Sequence, residues 1–201
     1  MQGSGNVQDI SSLQGLEQLR ELNLRSTTVR NIEPLRHLWR TLVRLTLPDE
    51  LPDLSPVSDL VNLQFLQAAA DTSEQVVFLS SLTALRKLVL GPSWRRGDTL
   101  DVSALASMQR LEELQLVDVY SASLQSLNHL PLKQLTVLRL RDGEDLGGML
   151  PRMSTTLRKL DLEDLSGIVN LSPLSELQEL RELRLVCAHN VQPTLEPLGQ
   201  L

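Results

Sequence analysis

The feature that most constrains this chain is a leucine spacing that recurs from end to end. Its clearest copies are Leu16-x-x-Leu19-x-x-Leu22-x-Leu24, Leu82-x-x-Leu85-x-x-Leu88-x-Leu90, Met108-x-x-Leu111-x-x-Leu114-x-Leu116 and Leu177-x-x-Leu180-x-x-Leu183-x-Leu185. Four further copies end in Leu45-x-Leu47, Leu66-x-Ala68, Leu138-x-Leu140 and Leu160-x-Leu162. The closing residues fall at 24, 47, 68, 90, 116, 140, 162 and 185, a mean spacing of 23 residues. Self-similarity at such a period marks a repeat architecture in which each unit is too small to bury its own apolar groups.

Between these markers runs a second motif with the same period, an aliphatic pair three residues apart, usually preceded by Asp or Asn and often carrying Ser and Pro. Examples are Asp9-Ile10-Ser11-Ser12-Leu13, Asn31-Ile32-Glu33-Pro34-Leu35, Asp53-Leu54-Ser55-Pro56-Val57, Asp101-Val102-Ser103-Ala104-Leu105 and Asn170-Leu171-Ser172-Pro173-Leu174. The alternation in Leu-x-Leu puts both leucines on one face of a short strand. The Ser-Pro step supplies a hydroxyl acceptor at a helix N-cap and a ring preset for the first helical position. On that basis Ser172 and Pro173 start a short helix through Leu174, Leu177 and Leu180. Strand, loop and short helix then repeat, and neighbouring units stack with their strands paired in parallel. A single long helix is excluded, because the three-three-two spacing drifts off a 3.6 period and prolines recur from Pro34 to Pro197.

Composition agrees with a leucine-built core. Of 201 residues 47 are Leu, against 2 Phe, 2 Trp and 1 Tyr. The formal charge of −6 and the absence of a basic cluster interleaved with aromatics argue against nucleic-acid binding, which draws on phosphate contacts. Cys187 is the only cysteine, so there is no disulfide framework within the chain and no cysteine cage for a metal. No apolar run is long enough to span a membrane, and the first ten residues are too polar for a secretory signal. The expectation is a cytoplasmic protein, with residues 1–9 a lead-in and residues 10–201 the repeat domain. Neither end carries a polar cap, so the expected array either continues beyond this sequence or covers its ends by self-association.

These residues resemble the leucine-rich repeat superfamily over nearly the whole length. The 22-residue pattern with its Ser-Pro-Leu start is most similar to the internalin type, shared with a regulatory subunit of a protein phosphatase. The resemblance implies an α/β solenoid of about eight units, a right-handed superhelix with a parallel sheet on the concave face and short helices on the convex face. It also implies protein binding. One departure stands out: where the family has Asn or Cys three residues after the marker, this chain has Thr27, Glu50, Asp71, Ser93, Val119, Gly143, Leu165 and Ala188. Leu130-Pro131-Leu132 and the stretch from Met149 to Leu157 also break the triplet count.

No trace of catalysis is legible. His37, His129 and His189 lie in different repeats, without the spacing of a metal site, and Gly147-Gly148 sits among acids that repel phosphate. No cofactor or metal is expected. Function then falls to the strand face. Reading the frame from the markers, the residues between the leucines are Asn23, Thr46, Gln67, Val89, Gln115, Arg139, Asp161 and Arg184, and the column before them includes Phe65, Lys87 and Val137. In the central strands Phe65, Ala69, Val89, Val117 and Val137 put apolar groups on a face open to water, framed by Gln67, Lys87 and Gln115. Either this is a docking patch with a polar rim, or β-branched residues are simply suiting strands. Beyond it the loop from Gly91 to Asp101 carries Trp94 and Arg95, residue types enriched at interfaces. The expected function is a non-catalytic protein-interaction module or scaffold, whose partner meets Phe65, Gln67, Lys87, Val89, Trp94, Arg95, Gln115, Val117, Val137 and Arg139. A regulatory or sensor domain of an enzyme complex and a purely structural repeat piece stand as alternatives.

Overall fold

A computed structural model of the chain describes residues 7–91, 100–120, 125–128, 130–141, 155–163 and 172–186. Eight strands form one sheet in sequence order, each paired in parallel with the next: β1 (Glu21–Asn23), β2 (Arg44–Thr46), β3 (Phe65–Ala69), β4 (Lys87–Gly91), β5 (Glu113–Tyr120), β6 (Gln134–Arg141), β7 (Lys159–Glu163) and β8 (Glu182–Val186). Alternation drives the inner leucine of each pair off the water-facing side, so that Leu45, Leu66, Leu88, Leu135 and Leu160 are fully buried in one ladder across the sheet. Leu47, Leu90, Leu116 and Leu162 make a second ladder beside it. The aliphatic pairs of the second motif, among them Ile32 with Leu35, Leu54 with Val57 and Val102 with Leu105, close the core from the opposite side.

The units are locked in register by one recurring device. The carbonyl of the residue before each strand accepts two N–H groups from the next unit: that of Arg20 from Val43 and Arg44 (2.8 and 3.0 Å), that of Glu112 from Lys133 and Gln134 (2.7 and 3.1 Å), and that of Lys133 from Arg158 and Lys159 (2.9 and 3.1 Å). Val43, Gln64, Arg86 and Arg158 serve the remaining junctions in the same way.

This register corrects the frame of the sixth strand. Leu114 and Leu116 pair with Leu135 and Val137, which in turn pair with Leu160 and Leu162. The pair level with the core leucines of the neighbouring strands is therefore Leu135-x-Val137, not Leu138-x-Leu140. The cause lies upstream, where Leu127, Leu130, Leu132 and Leu135 are all buried but the step from Leu130 to Leu132 is two residues long instead of three. A tight turn over Pro131, with the N–H of Leu132 on the carbonyl of Leu130 (2.8 Å), takes up the missing residue. Val117 then faces Leu138, and β5 and β6 continue their pairing as far as Tyr120 and Arg141, further than any other pair.

The connections are tighter than expected. Among the described residues they are 3₁₀ turns at Ser11–Gly15, Glu33–Leu38, Ser55–Asp59, Ser103–Ser107, Gln125–Leu127 and Ser172–Glu176, with one α-helix, α1 (Ser73–Leu79). The turn begun by Ser172 ends at Glu176, so Leu177 and Leu180 lie beyond it. Nor does the Ser55 hydroxyl cap its turn. Asp53 does the work, accepting the Ser55 N–H at 2.7 Å and the Ser55 hydroxyl at 2.8 Å. Asp9, Asn31 and Asp101 make the same side-chain turn onto the N–H of Ser11, Glu33 and Ser103. The Ser11 hydroxyl, then its N–H, hold the Asp9 carboxyl below the usual range.

The missing Asn ladder finds a partial substitute in Gln75. From α1 its side-chain oxygen accepts the Asp71 N–H at 2.7 Å while its amide nitrogen reaches the Leu51 carbonyl at 3.4 Å, tying two successive loops together. Thr27, at the first ladder position, donates its hydroxyl to the Leu24 carbonyl at 2.6 Å. Replacing Gln75 by Ala strands both loop groups, and a loss of about 1–3 kcal/mol in urea denaturation is expected.

Candidate functional site

Three rows of side chains stand on the water-facing side of the sheet. The first reads Glu21, Arg44, Phe65, Lys87, Glu113, Gln134, Lys159 and Glu182; the second Asn23, Thr46, Gln67, Val89, Gln115, Thr136, Asp161 and Arg184. In the third, Ala69 pairs with Gly91, Val117 with Leu138, and Glu163 with Val186. The structure therefore brings six of the expected residues together at the centre: Phe65, Gln67, Lys87, Val89, Gln115 and Val117. All six are half-buried.

The other four fall elsewhere. Trp94 and Arg95 lie outside the described residues. Val137 and Arg139 are described in their backbone only, and the register moves both off these rows: Val137 stands level with the buried Leu116 and Leu162, and Arg139 falls between Leu138 and Leu140. Thr136 and Gln134 take the places assigned to Arg139 and Val137. The shortened step at Pro131 was the signal that could have found them.

The apolar patch is less bare than its sequence suggests. The Arg44 guanidinium lies 4.4 Å from the centroid of the Phe65 ring and covers it. Among the described residues the most exposed large apolar side chains lie off this face or at its end: Val7 before the first turn, Leu16, Trp39, Val61, Val77 and Phe78 on the connecting segments, and Val186 on β8. Charges on the face pair across strands, with Glu21 and Arg44 at 3.8 Å, Lys87 and Glu113 at 2.6 Å, and Lys159 and Glu182 at 3.0 Å. Arg184 reaches Asp161 at 3.4 Å and also Glu163. Asp161 and Arg184 thus pair between β7 and β8.

Just before the strands, Glu112 accepts from Lys133 at 2.8 Å and from Arg86 at 3.0 Å, bridging three units. The Lys133 bond foremost, with the positive charges of Lys133 and Arg86 added, holds its carboxyl below the usual carboxylate range against the opposing cost of burial. A carboxyl lowered by folding stabilises when ionised, and that contribution is lost as pH falls through its folded value. Glu112→Gln should cost less than about 1 kcal/mol at pH 7 in urea denaturation. Variant and wild type should converge as the solution is acidified.

Two hollows open nearby. One of about 20 Å³ sits on the strand face, lined by Val89, Gln115, Gln134 and Thr136 with the Lys87–Glu113 pair, and has room for about one water. A larger one, about 280 Å³, lies among the loops after β1 and β2, walled by Thr27, Thr28, Arg30 and Glu50. Across it Arg30 and Glu50 approach to 3.6 Å. Among the described residues no group of His, Cys, Asp or Glu is arranged to hold a metal ion, and no helix is long and apolar enough to cross a membrane.

An eight-stranded parallel array with leucine ladders inside and a continuous row-ordered face outside defines a leucine-rich-repeat solenoid. The chain is a leucine-rich-repeat protein, and solved structures of that class match it closely. An internalin (inlF) from Listeria monocytogenes superposes with a TM-score of 0.66 at 26% identity, over 98% of this chain and 56% of that one. Internalin C2 from the same organism does so with a TM-score of 0.64 at 25% identity, over 90% of this chain and 77% of that one. The leucine-rich repeat domain of the type III effector XopL shares the fold at 20% identity and a TM-score of 0.53, over 90% of this chain and 73% of that one. This chain spans just over half the length of the inlF internalin. No protein-family model and no curated protein matches the sequence.

Proposed function

We propose that this chain is a non-catalytic recognition module that seats a protein partner across the middle of its strand face, on β3 to β6. The leucine-rich-repeat architecture supports protein interaction in general. What favours the central strands is a single observation: Phe65, Gln67, Val89, Gln115 and Val117 form a half-buried, uncharged group, edged in the first row by the Lys87–Glu113 pair and flanked by the Glu21–Arg44 and Lys159–Glu182 pairs, the arrangement of an interface core within a polar rim. Trp94 and Arg95, which follow β4 in the sequence, stay in the proposal on their residue types alone. Val137 and Arg139 leave it, and Thr136 and Gln134 enter.

A photo-crosslinking amino acid at Val89, in cells making the full chain, tests the reading against the same group at Val77, which is 55% exposed on α1. Adducts to a discrete protein from Val89 and none from Val77 support it. Equal labelling from both positions removes the assignment to the strand face.

A further inference from the structure

On the strand face, charge and hydrogen bonding have been settled in opposite ways. Every charged strand residue with a described side chain on this face has an opposite charge on the neighbouring strand: Glu21, Arg44, Lys87, Glu113, Lys159, Asp161, Glu163, Glu182 and Arg184. The neutral polar groups at the centre are the reverse. Gln67, Gln115, Gln134 and Thr136 are half-buried, and none of their side chains makes a hydrogen bond to the described residues. An amide held partly out of water gains by meeting a group that both donates and accepts, since it offers one of each. A carboxylate or ammonium brought to the same place would shed hydration and find every counter-charge already engaged. Beside these amides the third row narrows to Ala69 and Gly91, where a chain can approach closely. Among the described residues a Cβ built on Gly91 would meet only the Val117 side chain, at the ordinary contact distance of 3.9 Å.

Resting on the strand-face reading above, we infer that the partner presents an uncharged, extended polypeptide segment whose peptide groups bond Gln67 and Gln115 and whose small or aliphatic side chains lie over Ala69, Gly91 and Val117. Recognition there is by neutral hydrogen bonds and close backbone approach, and the ion pairs act only as a frame.

The test is selection of a random twelve-residue peptide library displayed on phage against the full chain. The enriched peptides are then titrated onto the wild type, the Gln67→Ala/Gln115→Ala double variant and the Lys87→Ala/Glu113→Ala double variant. Melting of each variant confirms that it folds. The expected peptides carry no net charge, lose about tenfold or more in affinity on the glutamine variant, and change by less than about threefold on the variant without the ion pair. Their binding should change by less than about twofold between 0.05 and 0.5 M salt. Charged peptides that depend on Lys87 and Glu113 would overturn the neutral chemistry and leave the strand-face reading intact. Peptides indifferent to both double variants, or a selection that enriches nothing, would overturn that reading itself.

Discussion

Val137→Lys is expected to cost at least about 3 kcal/mol, while Leu138→Lys, one residue along, is expected to cost little or nothing. The two positions differ in register alone. Val137 is level with Leu116 and Leu162, both fully buried, and an ammonium set among such neighbours gives up its hydration. Leu138 is level with Val117 and Glu163 in the water-facing third row, where a lysine keeps its hydration. Urea denaturation of the two variants decides it. If the costs are reversed, the core pair of β6 is Leu138-x-Leu140 and the frame read directly from the sequence is right.

Leu88→Ala should be the most damaging truncation, at about 3–5 kcal/mol. Its side chain is fully buried in β4, between Leu66 of β3 and Leu114 of β5. A solenoid has no alternative core to absorb the loss, because each unit touches only its neighbours. The defect also sits mid-array, so the units on either side lose part of their coupling and the unfolding transition should broaden as well as shift. Leu16→Ala, at a residue 46% exposed, serves as the comparison and should change stability by less than about 0.5 kcal/mol. A denaturation curve for Leu88→Ala that only shifts, with its slope unchanged, would show that the array unfolds as one unit whatever the interface strength.

Much of this architecture is legible in the sequence because its physics is local and repeated. A Leu-x-Leu pair states which face of its strand is apolar, and a period near 23 residues states that the faces must stack. The parallel order of the strands follows from those two facts, as do the buried ladders from Leu45 to Leu160 and from Leu47 to Leu162. The Asp or Asn two residues before each turn was visible as a pattern, but its role was assigned to the wrong atom: the carboxylate of Asp53, not the hydroxyl of Ser55, receives the first N–H of its turn. A hydroxyl cap would accept an N–H two or three residues further on, and a five-residue turn is too short for propensity to decide between the two devices. Gln75 escaped notice for a different reason. It does a ladder's work from outside the ladder position, and only the proximity of α1 to two loops brings its amide onto Asp71 and Leu51.

Of the candidate surface, the sequence placed Phe65, Gln67, Lys87, Val89, Gln115 and Val117 on one face, since alternation within a strand is a local property. It could not show that Arg44 covers Phe65 or that Lys87 is engaged by Glu113, because both contacts join strands about twenty residues or more apart.

By itself, then, the sequence determined the repeat, the leucine core and the existence of an open strand face. The tertiary structure decided which residues stand on that face at β6. Leu135-x-Val137 and Leu138-x-Leu140 are both apolar alternations, offset by an odd number of residues, so that choosing one turns the other's side chains to the opposite side of the sheet. The ladders to β5 and β7, which begin at the carbonyls of Glu112 and Lys133, hold β6 in the first of these frames.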